Sequence, residues 1–218
     1  MKKLITLFLL CISMFTWAQR FPSEQWYAGE ATLSNGEEIK GQIKYDLTLE
    51  TIQVEISGKI NTYNASQVVF FSIKPNKERP DRLFYSLPFR NETGYARPKF
   101  FEIVTQGKVS LIAREYIATR TEGMQGRPWI GATRYDPLFN PDPRFNTTPI
   151  RREFLAFKLF IVNPKGDIKE LGNTKKEVLR AFDDYQSDLK KYIKQEKLKV
   201  ESIADVSMLV RYYNKITS

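Results

Sequence analysis

Short alternating runs recur between Trp26 and Leu171 and limit the folds that the chain can adopt. Apolar and polar residues exchange places at every second position, as along residues 38–45, which is typical of strands with one buried and one solvated face. Asn35-Gly36 separates two of these runs, and both residues tolerate positive φ, so the pair predicts a tight hairpin. About nine such strands joined by short turns predict an antiparallel sheet.

The pattern changes to a helical period after residue 172. Thr174 and Glu177 have the spacing of a capping box, which marks the start of a helix. Apolar residues then recur at helical spacing; they are Val178, Leu179, Phe182, Tyr185, Leu189, Tyr192 and Ile193. This stripe predicts either one long helix or two helices separated by a break that Ser187 caps. A final helix is predicted from about Ile203 to Lys215.

Strands first and helices last indicate the α+β class. We expect a predominantly antiparallel β-sheet, built as a sandwich, an open barrel or a curved sheet. The boundaries predicted are a β-rich domain at residues 19–172 and a C-terminal helical region at residues 173–218 that packs on it.

The N-terminus predicts a cleaved secretory signal at residues 1–18. Lys2 and Lys3 form a positive start, residues 4–15 are apolar, and cleavage is expected after Ala18. The apolar stretch is well short of the roughly 20 residues that span a bilayer. We therefore expect an exported protein, periplasmic or associated with the outer membrane, with no transmembrane segment in the mature chain.

The chain contains no histidine, and its single cysteine, Cys11, lies inside the predicted signal. The mature protein would then lack the usual soft metal ligands and both common nucleophile systems, so we expect no metal, no cofactor and no catalytic residue. Basic residues exceed acidic ones by 34 to 25. For an exported chain this excess favours an anionic lipid or glycan surface over nucleic acid, or serves solubility alone.

The longest irregular stretch runs from about residue 121 to residue 150 and contains five prolines. Prolines at that density cannot sit in a ladder, so the stretch is predicted to be an excursion loop. Its arginine and aromatic residues are types enriched at interface hot spots. They form the candidate binding surface, or else plug the core: Arg127, Trp129, Arg134, Tyr135, Phe139, Arg144 and Phe145.

Two alternative functions stay open. Asp136 and Asp142 in the same loop are the candidate carboxylates of a glycoside hydrolase, or of a glycan-binding module without catalysis; Asp-Pro pairs are also ordinary turn formers. A Lys-rich helix predicts a peripheral lipid-binding protein, or else a solvated helix face. Its basic residues are Lys190, Lys191, Lys194, Lys197 and Lys199.

Two stretches lie near the two ends of the sequence. One is "YAGEATLSNGEEIKGQIKYD", with its Asn-Gly hairpin, and the other is "DLKKYIKQEKLKVESIADVSMLVRYYNKI", a basic helix and a helix ending in Tyr-Tyr-Asn. Both resemble a group of exported Bacteroidota envelope proteins of unknown function. The resemblance implies an envelope location and carries over no activity, ligand or site residue. The leading hypothesis is a non-enzymatic binding or structural protein that contacts another outer-membrane or periplasmic protein.

Overall fold

The computed structural model describes residues 21, 24–75, 80–90, 94–122 and 150–217. The strands are β1 (Tyr27–Leu33), β2 (Glu38–Asp46), β3 (Thr51–Ile56), β4 (Lys59–Asn64), β5 (Val68–Lys74), β6 (Arg82–Arg90), β7 (Ala96–Thr105), β8 (Ser110–Glu122), β9 (Ile150–Val162) and β10 (Ile168–Glu170). The helices are α1 (Lys175–Arg180), α2 (Gln186–Gln195) and α3 (Ile203–Ile216), with a 3-10 turn, Asp183–Tyr185, between α1 and α2.

The ten strands of this part of the chain form one open sheet in the order β10-β9-β8-β7-β6-β5-β1-β2-β3-β4. Every neighbouring pair is antiparallel, and β1 pairs with β5 to join two meanders. The predicted hairpin joins β1 to β2, with Gly36 at φ 87°. The prediction of a mostly antiparallel sheet followed by C-terminal helices is confirmed.

An aromatic cluster connects the two meanders. The ring of Tyr45 on β2 meets the ring of Phe100 on β7 edge-on, with 5.6 Å between centroids. Three strands separate β2 from β7 in the sheet, so the sheet is strongly curved in this region. Phe71 and Phe84 stack on each other at 4.6 Å, and each lies 5.7 Å from Tyr45. These four rings are buried, and rings of this size supply much of the apolar area that a core removes from water.

The helices cover a second apolar cluster on the same sheet face. Leu111 and Ala113 on β8 belong to the cluster under the helices, whereas Ile117 packs against the aromatic cluster. Alternate residues of a strand share a face, so both clusters lie on one side of β8. Glu115 falls between them.

The helical stripe is interrupted, as one of the two sequence alternatives predicted. Thr174 caps α1 and forms the predicted capping box with Glu177. The prediction that Ser187 caps α2 is wrong. The N-cap of α2 is Tyr185, whose side chain makes no capping hydrogen bond. The 3-10 turn carries the chain into α2 two residues earlier than a Ser187 cap would allow.

The Tyr-Tyr-Asn ending of α3 fixes the helices to one another and to the sheet. Asn214 accepts a hydrogen bond from the backbone N–H of Val109 at 2.9 Å and donates to its carbonyl at 2.8 Å. A side chain on Gly107 would collide with Asn214, so glycine permits this close approach. Tyr212 stacks on Tyr192 of α2 with 4.0 Å between ring centroids. The motif therefore has a packing role.

Candidate functional site

The β8–β9 hairpin is the longest pair of strands and carries the predicted excursion loop. Each strand has 13 residues, and the register runs without interruption from Ser110 opposite Val162 to Glu122 opposite Ile150. The seven arginine and aromatic candidates of the loop, and Asp136 and Asp142, lie outside the described residues. The described part of the hairpin brings both ends of the loop together at its tip.

A cavity of about 610 Å³ opens beside this hairpin, close to its tip. We call it the hairpin cavity; it is lined by residues 47–50 of the β2–β3 turn, Lys99 on β7, residues 114, 116, 117 and 119 of β8, and Glu153 on β9. Thr119 and Glu153 face each other in the register, three pairs before its last pair. A rigid scaffold that presents a cavity next to a loop is a common arrangement for binding sites.

Glu50 is the centre of the charged wall of the hairpin cavity. Its carboxylate accepts hydrogen bonds from the Lys99 ammonium and from the Arg114 guanidinium, so one turn residue is tied to two strands. The backbone of Glu50 is left-handed, with φ 53°, a conformation that is unfavourable for a residue other than glycine. The two ion pairs hold it there.

Lys99 and Arg114, the two cations of this wall, both have partly buried charged groups. Burial of the Lys99 ammonium, together with the nearby charge of Arg114, lowers the pKa of Lys99 from its ordinary value. The Arg114 guanidinium lies 6.0 Å above the ring of Phe89, and its Nε is buried without a hydrogen-bond partner among the described residues. A buried donor without a partner is costly, so the hydrogen-bonding capacity of the Arg114 guanidinium is only partly used in this arrangement.

A second charged group, formed by Arg82, Glu102 and Glu115, lies between the two apolar clusters. Arg82 donates from Nε and Nη2 to the two oxygens of Glu102 at 2.8 and 2.6 Å, and from Nη2 to Glu115 at 2.8 Å. Burial opposes the charge of Arg82, yet the hydrogen bonds and charges of the two carboxylates raise its pKa above the ordinary value. This group joins β6, β7 and β8 and does not line the hairpin cavity.

The chemistry of the hairpin cavity favours polar recognition. Lys99 and Arg114 are balanced by Glu50 and Glu153, so the wall has no formal excess of either sign. The hydroxyls of Tyr116 and Thr119 add groups that both donate and accept hydrogen bonds. Such a lining suits uncharged polar ligands and the polar groups of a partner chain.

Within the described residues, no group of three or more acidic, histidine or cysteine side chains is placed to hold a metal ion. None of the described helices has the length and apolar character required to cross a bilayer. Comparison with protein-family models, with curated proteins and with solved structures found no match to this chain.

The sequence analysis did not identify the residues of the hairpin cavity. Lys99 and Glu50 are 49 residues apart, and Arg114 and Glu50 are 64 apart, so only the folded sheet brings them together. One signal was available: Arg114 and Glu115 are adjacent charges inside the otherwise apolar strand "SLIAREYIA". Charges in such a run indicate buried partners elsewhere in the chain.

Proposed function

We propose that this protein is an exported, non-enzymatic binding protein of the bacterial envelope, and that the tip of the β8–β9 hairpin with the hairpin cavity is its binding end. The partner is another periplasmic or outer-membrane protein. The signal-like pattern of residues 1–18 and the resemblance of both ends of the sequence to exported envelope proteins support the location.

The observation that carries this proposal is the presentation of Leu49 at the hairpin cavity. Its side chain is 68% exposed, although it stands on a turn that is fixed at both ends. Asp46 accepts hydrogen bonds from the backbone N–H of Thr48 at 3.0 Å and of Leu49 at 2.8 Å, while Glu50 is held by its two cations. A rigidly presented apolar side chain beside fixed polar groups loses little entropy on binding, which favours an interface anchor.

Site-specific photo-crosslinking tests this proposal. A photoreactive amino acid at position 49 is expected to give one discrete adduct with an envelope protein in intact cells. Val69 on β5 is the matched control, because it is 44% exposed and does not line the hairpin cavity. Adducts of equal yield and pattern from positions 49 and 69, or none from position 49, would contradict the proposal.

A glycan is the second candidate ligand, favoured by the balanced charges of the hairpin cavity and by the hydroxyls of Tyr116 and Thr119. Carboxylates and hydroxyls in such a wall can bind sugar hydroxyls without catalysis. If a glycan binds, Glu153→Gln is expected to weaken binding about tenfold through loss of one charged hydrogen bond. Glu170→Gln on β10, also exposed to solvent, is the control and should bind as the wild type does; no binding across a broad glycan panel would exclude this candidate.

A further inference from the structure

A second cavity lies between α1 and α2 and differs from the hairpin cavity in chemistry. Its volume is about 540 Å³. We call it the basic groove, and its principal lining residues are Lys175, Lys176, Leu179 and Arg180 on α1 with Ser187 and Lys190 on α2. Leu179 is buried and forms an apolar floor. The 3-10 turn between the helices places Lys190 beside the three cations of α1, from which it is separated by 10 or more residues in sequence.

The positive charge of the basic groove is only partly compensated by the described residues, because Glu177 on α1 is close enough to Arg180 for the arginine charge to help lower the pKa of Glu177. No carboxylate lines the groove, and none of the ion pairs among the described residues involves its four cations. The acidic residues of the same helices are already engaged. Hydrogen bonds from Thr174 hold Glu177 and lower its pKa, and Asp188 pairs with Lys191 at 3.4 Å.

The size and surroundings of the basic groove indicate what would fill it. Lysine and arginine stems give the walls an apolar lower part and a charged rim, which complements a group with a negative head and an apolar neighbour. Three more exposed lysines, at positions 194, 197 and 199, follow along and after α2 and extend the positive surface beyond the groove. An isolated small anion would bind in the groove alone, whereas a membrane surface would contact the groove and the three additional lysines together.

We propose that the basic groove seats the phosphate headgroup of an anionic phospholipid and holds the helical end of the protein against a membrane surface. The four cations bind the headgroup phosphate, and Lys194, Lys197 and Lys199 contact neighbouring headgroups. This site is separate from the hairpin cavity, so its failure would leave the proposed function unaffected.

Co-sedimentation with vesicles tests the proposal on the full mature chain. Vesicles of phosphatidylcholine with phosphatidylglycerol are compared with vesicles of phosphatidylcholine alone at about 0.1 M salt, where the Debye length is about 10 Å. The groove variant combines Lys176→Gln, Arg180→Gln and Lys190→Gln. The control variant combines Lys59→Gln, Lys165→Gln and Lys169→Gln, which removes the same charge from exposed positions outside the helices.

Binding to the anionic vesicles and not to the neutral ones is expected for the wild type. Each groove cation contributes about fivefold to membrane affinity, so the groove variant should bind about a hundredfold more weakly. The control variant should change by less than about threefold, because distant charges are screened within a Debye length. Equal losses in both variants would show a net-charge effect only and would overturn the proposal.

A third arm separates a lipid headgroup from a free phosphate. Replacing chloride by inorganic phosphate at constant ionic strength is expected to leave vesicle binding unchanged within about twofold, because a membrane presents many headgroups at once. Complete release by inorganic phosphate would assign the groove to a small soluble anion and overturn the membrane proposal. Circular dichroism of both variants confirms that the exposed substitutions leave the fold intact.

Discussion

Replacing Tyr45 by alanine is expected to lower the free energy of unfolding by about 3–5 kcal/mol. The ring is 2% exposed and contacts Phe71, Phe84 and Phe100, so its removal leaves a cavity at the place where β2 reaches β7 across the curved sheet. Denaturant unfolding of the mature chain, followed by far-ultraviolet circular dichroism, measures the change. An alanine variant within about 1 kcal/mol of the wild type would show that the aromatic cluster does not connect the two meanders.

Tyr45→Phe is the matched control, because it keeps the ring and removes only the hydroxyl. Burial, opposed in part by the charge of Arg114, raises the pKa of Tyr45 above its ordinary value. The folded state therefore holds this proton more tightly than the unfolded state. The resulting stabilisation is complete below a pH of about 10 and is lost as the pH rises further. Tyr45→Phe should retain its stability through that range better than the wild type, and identical alkaline unfolding of the two would contradict this assignment.

Replacing Arg82 by methionine is expected to cost about 2–4 kcal/mol of unfolding free energy. The substitution keeps an apolar stem but leaves Glu102 and Glu115 facing each other between two apolar clusters without their shared cation. The arginine and glutamate side chains are only 15–19% exposed, so solvent screens the loss incompletely. Urea unfolding at neutral pH measures this cost.

Removing the two carboxylates as well should restore part of the stability that Arg82→Met loses. Glu102→Gln and Glu115→Gln, combined with Arg82→Met, remove the two carboxylate charges that Arg82 binds and keep the shapes of the glutamate side chains. The triple variant is expected to recover at least about half of the lost stability, because replacing every member of a charged group is far less costly than removing one. A triple variant less stable than Arg82→Met would mean that the carboxylates have other stabilising partners.

The local features of the fold were predictable from the sequence. Asn35-Gly36 fixed a hairpin because two adjacent residues tolerate the turn, and Thr174 with Glu177 marked a helix start because the capping box needs only three-residue spacing. The interruption before α2 was one of two alternatives, since a stripe of apolar residues continues equally well through one helix or two. These features depend on contacts within a few residues, which a sequence displays directly.

The candidate sites depend on contacts that the sequence does not display. Glu50 meets Lys99 and Arg114 only because the sheet curves, and the curvature depends on where β2 packs against β7. The basic groove likewise needs the 3-10 turn that sets α1 against α2. The Lys-rich character of α2 was visible in sequence, but the contribution of Arg180 from a different helix was not.

The two proposed binding surfaces are built from different residues, which has a simple functional consequence. In our proposals the hairpin cavity engages a protein partner, while the basic groove on the helices contacts a membrane. Their linings differ in kind: the hairpin cavity has balanced charges, and the basic groove has four cations without a carboxylate. Variants in one should therefore leave binding at the other unchanged.

The most direct test of the binding end is the photo-crosslinking yield at position 49 in the wild-type and Glu50→Gln backgrounds, measured in intact cells at equal protein levels. Glu50→Gln keeps the shape of the turn residue but removes its two ion pairs, so the turn that presents Leu49 loses its fixed end. We predict one discrete adduct in the wild type and a yield at least about fivefold lower in the variant, the effect of roughly 1 kcal/mol at the interface. An adduct of unchanged yield in Glu50→Gln, or no adduct in either background, would contradict the assignment of this surface as the binding end.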